Sequence, residues 1–320
     1  MSPSASVHVA VGVIRNAKGE VLIALRSPQS HQGGLWEFPG GKLEAGENAF
    51  GALGRELKEE LGLQLQSAHP LIKITHQYPD RSVLLDVWSV SHFEGVPSGR
   101  EGQPVKWVPI SALHKENFPP ANAPIINTLQ LPGEIAITRT AKSRNELMAI
   151  LGALIKKGLP AIQLRQKQLS AAEYADWFHA ATRLCQRHQV LLFANASPEL
   201  SGELNAVAVH LTSRILMQQN QCPVADGVLL SAACHNAEQL AHAEALGVHF
   251  AMLSPVSTTA KVHDTGQVLG WDGFQALSDQ VSLPVYALGG LRRNELGLAR
   301  RFGAHGIAGI RAFDSAAVGD

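Results

Sequence analysis

Glu56, Glu59 and Glu60 stand at i, i+3 and i+4, so a helix through them presents three carboxylates on one face. Ionised carboxylates this close repel one another and call for protons, cations or water to offset their charge. Hard divalent cations prefer carboxylate oxygens, and Mg²⁺ in particular is held by a few acidic side chains together with substrate phosphates. A metal held there polarises a phosphoryl oxygen and lowers the pKa of an attacking water. Three glutamates alone are more often an ordinary solvated helix face, the usual habit of Glu. The wider spacing decides between the two: Gly41-x5-Glu47-x7-Arg55-Glu56-Leu57-Lys58-Glu59-Glu60-Leu61-Gly62-Leu63.

The elements that must carry these residues are mixed strands around one strong helix. The helical stretch runs from about Asn48 to Leu61, with Leu53, Leu57 and Leu61 at i, i+4 and i+8 forming one buried stripe. Gly62 follows where a left-handed cap is wanted. Gly51 and Gly54 each cost roughly 1 kcal/mol relative to Ala, a cost that close packing on a neighbouring strand would explain. Val7 to Arg15 and Glu20 to Leu25 read as strands joined by the turn Asn16-Ala17-Lys18-Gly19. A polar loop from Ser27 to Gly34 precedes Trp36 to Phe38, the breaker Pro39-Gly40-Gly41 and the helix. Further strands are expected at Leu71 to Gln77, Ser82 to Ser91 and Val105 to Pro109. The proline-rich Pro119 to Pro124 reads as a structured loop, and Leu131-Pro132-Gly133 as a linker.

The spacing around the glutamates resembles the Nudix box, Gly-x5-Glu-x7-Arg-Glu-U-x-Glu-Glu-x-Gly-U with U aliphatic, at every fixed position. Residues 7 to about 131 further resemble the MutT branch of that family through Glu37-Phe38-Pro39-Gly40-Gly41-Lys42, Tyr78-Pro79-Asp80-Arg81, Glu101-Gly102-Gln103-Pro104 with Trp107, and Phe118-Pro119-Pro120-Ala121-Asn122. The resemblance implies an α/β/α sandwich with a mixed sheet that hydrolyses 8-oxo-dGTP to the monophosphate and pyrophosphate, protecting replication by cleansing the nucleotide pool. It implies Mg²⁺, with Mn²⁺ as a substitute, held by Glu56, Glu60, Glu101 and the Gly40 carbonyl. Glu56 or Glu59 would orient or deprotonate the water. Arg26, Glu37, Phe38 and Arg81 fall at substrate-binding positions, and Asn122 at the position that contacts the oxidised guanine. An Asn amide both donates and accepts, which suits it to the edge of a purine. Arg55 is expected to buttress the glutamates by ion pairing. Glu47, near the helix start, is favourable to the helix dipole and reads as structural.

From Glu134 the pattern changes. Eight short apolar runs, Glu134 to Thr138, Ala161 to Leu164, Val190 to Phe193, Ala206 to His210, Gly227 to Leu230, Phe250 to Leu253, Val285 to Leu288 and Gly306 to Ile310, alternate with helical stretches such as Asn145 to Lys157, Ala171 to His188 and Ala237 to Leu246. That alternation indicates a small (β/α)₈ barrel. The expected domains are therefore 1–131 and 134–320.

Residues 134 to 314 resemble the thiamine phosphate synthase and TenI group through Gln163-Leu164-Arg165-Gln166-Lys167, Val209-His210-Leu211, Cys234-His235-Asn236, Ser254-Pro255-Val256 and Leu288-Gly289-Gly290. Gly289, Gly290 and Gly309 fall where such barrels bring backbone N–H groups to a phosphate, and Arg165, Lys167 and Lys261 add positive charge. A phosphorylated thiazole or pyrimidine is the ligand this resemblance implies. The chain departs from the synthase pattern where that pattern holds Mg²⁺: Asn195 is followed by Ala196, Thr212-Ser213-Arg214-Ile215 replaces an acidic stretch, and Ala233 replaces a phosphate-contacting Ser. The TenI branch needs no such metal and uses a His at the place of His235 as acid/base, a role suited to imidazole. The alternative for His235 is that it merely starts the following helix.

Bulk properties exclude several classes. Lys+Arg and Asp+Glu number 27 each in 320 residues, giving no basic field for polymeric nucleic acid. The three cysteines, Cys185, Cys222 and Cys234, are widely spaced and make neither a zinc motif nor a disulfide framework. No stretch approaches eighteen continuous apolar residues and Met1 to Ala10 lacks a leader pattern, so a cytoplasmic protein without membrane contact is expected. Three readings remain open: a sanitising pyrophosphohydrolase, a Nudix enzyme for a thiamine-pathway diphosphate, and a regulator whose barrel senses a phosphorylated metabolite.

Overall fold

The computed structural model describes residues 7–30, 32–79, 81–258 and 268–313. The chain divides into two compact units, Met1–Leu131 and Pro132–Asp320. Of the candidates named above, Lys261 lies outside the described residues, as do His31 of the polar loop and Asp80 of the Tyr78–Arg81 segment.

In the first unit β1 (Val7–Ile14) lies parallel to β6 (Ser82–Glu94) and antiparallel to β4 (Gly40–Lys42), while β5 (Gln64–Gln77) runs antiparallel to β6, giving the order β4-β1-β6-β5. A second sheet has the order β3-β2-β7, from β3 (Trp36–Glu37), β2 (Val21–Leu25) and β7 (Val105–Val108). Alternation along β1 separates two cores. Ala10 and Ile14 join Leu53, Leu57 and Leu61 of helix α1 (Ala49–Leu61), whereas Val11 and Val13 join Ile125 and Ile126 of α2 (Ala123–Leu129). The mixed sheet is thus covered on both faces by helices.

The local chemistry of α1 explains its bounds. The Asn48 side chain accepts the Gly51 N–H at 2.8 Å, satisfying an otherwise orphaned donor. At the other end Gly62 is left-handed (φ 71°), its N–H bonding the Lys58 carbonyl and the Leu63 N–H bonding that of Leu57. Close packing does not account for Gly54: a β-carbon there would meet Leu65 at an ordinary 3.8 Å. At Gly51 the added carbon would sit 3.3 Å from the capping Asn48 Oδ1.

Two strand expectations need correction. Pro39-Gly40-Gly41 does not break the chain; β4 starts there, with Gly40 opposite Val11 and the Gly12 N–H bonded to the Pro39 carbonyl at 2.8 Å. Glycine is required because a β-carbon on Gly40 would run into the Ala10 carbonyl. Strand β5 begins at Gln64, seven residues before the expected Leu71, and register shifts between Leu65 and Ile72 hide its alternation.

The second unit is a closed, all-parallel barrel in the order β8 to β15: Glu134–Ile137, Ala161–Leu164, Leu191–Ala194, Ala208–Leu211, Leu229–Cys234, Phe250–Leu253, Val285–Leu288 and Gly306–Gly309. Around it run α3 (Arg144–Lys156), α4 (Ala171–Arg187), α5 (Pro198–Glu203), α6 (Ser213–Leu216), α7 (Ala237–Ala245), α8 (Gly270–Ser278) and α9 (Leu296–Arg301). Large rings fill part of the interior, Phe193 against Phe250 at 5.7 Å and Phe250 against Tyr286 at 4.8 Å, so the barrel is a packed core and not a pore. Among the described residues no helix is long and apolar enough to cross a membrane.

Candidate functional site

One edge of α1 carries the acids that the sequence pattern singles out. The Arg55 guanidinium is its hub: it bonds Glu47 through Nε and Nη2 (both 3.0 Å), Glu56 at 2.9 Å, Glu59 at 3.2 Å and the Lys42 carbonyl at 3.0 Å. These bonds hold Arg55 protonated and keep the Glu47 carboxyl below its usual range. Glu47 also accepts the Glu44 N–H at 3.0 Å. The expected buttress is therefore present, and Glu47 joins it as a structural acid. Glu56 and Glu59 differ in setting, their side chains being 15% and 57% exposed. Glu56 is tucked against Gly41, where a β-carbon would overlap its carboxylate.

Glu60 is the acid under greatest electrostatic stress. Burial, then the charges of Glu37, Glu56 and Glu101, push it up to about 8, opposed by a backbone hydrogen bond from Gly40. The charges of Glu56 and Glu101 thus reach Glu60, and the Gly40 backbone bonds it. Among the described residues no three His, Cys, Asp or Glu side chains stand close enough together, as placed, to hold a metal ion. An open group of hard oxygens is nevertheless what Mg²⁺ takes, since it keeps several waters and few protein ligands, and the mutual repulsion around Glu60 is the kind a divalent cation relieves.

Next to these acids a cavity of about 140 Å³ is lined by Arg26, Glu37, Phe38, Gly40, Arg81 and Asn122. All five expected substrate-binding residues therefore face one space. Arg26 pairs with Glu37, whose carboxyl is raised by burial against the lowering effect of that guanidinium. Phe38 is buried and stacks on Phe118 at 5.6 Å. Asn122 sits at the start of α2, where Asn commonly caps, yet its side chain makes no capping bond. Val9, Val11, Val83 and Leu85 also line the cavity; sequence reasoning missed them, although the period-2 alternation of β1 and β6 points them to that face.

In the barrel, His235 Nδ1 lies 2.8 Å from the Ser254 carbonyl, which can only accept, and 3.2 Å from the Ser254 hydroxyl, so this nitrogen is placed to donate to the carbonyl. Asn236 caps α7 by accepting the Gln239 N–H at 2.9 Å, so His235 is not needed to start that helix. Arg165 is half-buried, and its guanidinium makes no ion pair among the described residues; burial lowers its pKa. Lys167 is exposed. Two buried groups were not among the candidates. His210 bonds Ser231 Oγ at 3.0 Å and is pushed down to about 3 by burial and by Arg165; Gln163 Oε1 is buried without a partner among the described residues. Both belong to the quoted motifs, which was the available signal.

The glycines at the barrel's carboxyl ends have a further reason to be glycine. A β-carbon would approach Pro255 to 2.9 Å at Gly289 (φ 102°) and the Thr258 carbonyl to 2.6 Å at Gly290 (φ 70°), so the segment after β13 packs directly on this turn. At Gly309 the clash is milder, 3.1 Å to Ala312 Cβ. The Mg²⁺ of the synthase pattern does not fit here. Asn195 uses its amide on the His210 carbonyl (3.2 Å), Ala196 has no donor atom in its side chain, and Thr212 caps α6 through the Ile215 N–H (3.3 Å).

The first unit thus sets a carboxylate-bearing helix beside a cavity in an α/β/α arrangement, and a small closed parallel barrel follows it in sequence. Residues 10–128 match the NUDIX domain family and residues 134–313 the thiamine monophosphate synthase (TMP-TENI) family. Over 124 residues, 39% of this chain and 96% of the relative, it is 42% identical to the 8-oxo-dGTP diphosphatase of Escherichia coli (strain K12). Over 170 residues, 52% of this chain and 80% of the relative, it is 28% identical to the thiamine-phosphate synthase of Limosilactobacillus fermentum. A solved MutT structure, from a study of the Aliivibrio salmonicida and Vibrio cholerae proteins, shares 37% identity and covers 39% of this chain and 96% of its own, with a TM-score of 0.35. The chain belongs to the Nudix hydrolases through its first unit, a Nudix diphosphohydrolase domain, and to the thiamine monophosphate synthase/TenI family through its second.

Proposed function

We propose that the first unit removes pyrophosphate from an oxidised purine nucleoside triphosphate, with 8-oxo-dGTP as substrate. The observation that carries the substrate is Asn122: an amide making no capping bond, in a cavity that also holds Arg26 and Arg81 beside the acidic edge of α1. The relative named 8-oxo-dGTP diphosphatase supports the same reading. Glu56, Glu60, Glu101 and the Gly40 carbonyl would hold Mg²⁺ or Mn²⁺, which supplies charge neutralisation for the phosphates. The chain's own residues do the rest. Arg55 orients Glu56 and Glu59, one of which takes a proton as the water oxygen bonds to phosphorus and the bond between the α- and β-phosphates breaks. Arg26 and Arg81 hold the phosphates or the base, and Phe38 provides an apolar wall.

Glu56→Gln tests this assignment. Turnover should fall by orders of magnitude while circular dichroism and Tm stay near the parent values; near-normal rates would remove the helix edge from the chemistry. A second reading, hydrolysis of a thiamine-pathway diphosphate, is favoured by one fact, the covalent link to a TenI-type barrel.

For the barrel we propose metal-free handling of a phosphorylated thiazole, with His235 as acid/base and Arg165 among the anion-binding groups, a reading supported by the family match. Turnover of a thiazole carboxylate phosphate, abolished by His235→Ala, supports this; absence of both turnover and phosphate-ligand binding contradicts it.

A further inference from the structure

The last carbonyls of a helix lack intrahelical donors and must find others. At the end of α1 those donors come from the segment that carries Glu101. The Ser98 N–H bonds the Leu61 carbonyl at 3.1 Å, and the Arg100 N–H bonds the Glu60 carbonyl at 2.9 Å. Gln103 adds a third link through its side chain: Nε2 donates to the same Glu60 carbonyl at 3.2 Å, while Oε1 accepts the Glu101 N–H at 2.9 Å. One primary amide therefore ties the backbones of Glu60 and Glu101 to each other.

The segment needs such a tie. It has no regular structure and contains Gly95, Gly99 and Gly102, residues that lose the most freedom on ordering. A β-carbon at Gly99 would overlap the Gln103 carbonyl, so the chain doubles back tightly, and Gly102 is left-handed (φ 82°). Glu101 itself is exposed, so side-chain packing does not fix it. Its placement relative to Glu60 rests on backbone bonds, and Gln103 supplies a side-chain one that mutation can remove.

We infer that Gln103 is a positioning residue that sets Glu101 against Glu60 and so raises the affinity of the site for divalent metal. This rests on the Nudix metal reading proposed above. Groups of this kind, which bond the ligands and not the metal, typically contribute 10- to 100-fold to metal affinity.

The test uses the full chain, with Mn²⁺ as probe in equilibrium titration and Mg²⁺ half-activation of hydrolysis as a second readout. Gln103→Met keeps the stem and removes the amide; Gln103→Ala removes both; Glu60→Gln is the control. The inference expects Glu60→Gln to lose Mn²⁺ binding. In Gln103→Met the Mn²⁺ Kd and the Mg²⁺ half-activation concentration should both rise about tenfold, with kcat at saturating metal within about threefold of the parent. If Glu60→Gln loses Mn²⁺ but both Gln103 variants bind it as the parent does, the positioning role is overturned and the metal reading stands. If Glu60→Gln binds Mn²⁺ normally, the metal reading falls and the inference with it.

Discussion

The carboxylate of Glu56 occupies the place where a β-carbon on Gly41 would have to go. Strand β4 thus meets helix α1 through the end of the Glu56 side chain. Gly41→Ala should displace Glu56 and break its 2.9 Å bond to Arg55. The expected outcome is a loss in kcat/KM of roughly 100-fold or more, the usual cost of misplacing a catalytic group by about 1 Å, with the helix retained by circular dichroism.

Gly54 gives the opposite expectation. Its position would accept a β-carbon at 3.8 Å from Leu65 without strain, and glycine inside a helix costs about 1 kcal/mol relative to Ala. Gly54→Ala should therefore stabilise the first unit by about 0.5–1 kcal/mol in urea unfolding. A destabilised variant would show that the site needs a freedom of the helix that its packing does not reveal.

Asn122→Ala should reduce discrimination more than hydrolysis. An amide that pairs with a purine edge contributes chiefly to choosing between bases, because the competitor leaves buried polar groups unpaired. The ratio of kcat/KM for 8-oxo-dGTP over dGTP should fall about tenfold or more, with dGTP itself little changed. Equal loss on both nucleotides would take Asn122 out of recognition.

The barrel should lose stability in mild acid. His210 is depressed to about 3 in the native state, from an ordinary 6.5. Between those values the unfolded chain takes up a proton that the native barrel refuses, so stability is full above about pH 6.5 and falls by about 1.4 kcal/mol per pH unit below it. Hydrogen exchange in β11 and β12 between pH 7 and pH 5 reads this directly. His210→Asn should flatten the dependence even if it weakens the barrel; an unchanged slope would assign the acid sensitivity elsewhere.

What could be read from the sequence followed from how locally it was encoded. The spacing from Gly41 to Leu63 depends on helical periodicity and two caps, all within one segment, and it located α1 and its acids closely. Barrel strands such as Ala161–Leu164, Phe250–Leu253 and Val285–Leu288 were equally legible, being short apolar runs bounded by turns. Where conformation depends on a distant partner, reading failed. Gly40 and Gly41 look like a chain break until Ala10 and Glu56 are placed beside them, and β5 was truncated because its bulges interrupt the alternation. The short helices α5, α6 and α9, of four to six residues, have too few turns to show a period. The motif that singled out Asn122 is local and the residue lines the cavity, whereas the tie from Gln103 to Glu60 spans 43 positions and leaves no periodic trace.

The most direct measurement is kcat/KM with Mg²⁺ for 8-oxo-dGTP, dGTP and a thiamine-pathway diphosphate, determined side by side on the full chain. A preference for 8-oxo-dGTP of roughly 100-fold or more over both others, about 3 kcal/mol in transition-state binding, is the expected result. Weak, unselective nucleotide hydrolysis with efficient turnover of the thiamine compound would contradict it and make the two domains partners in one pathway.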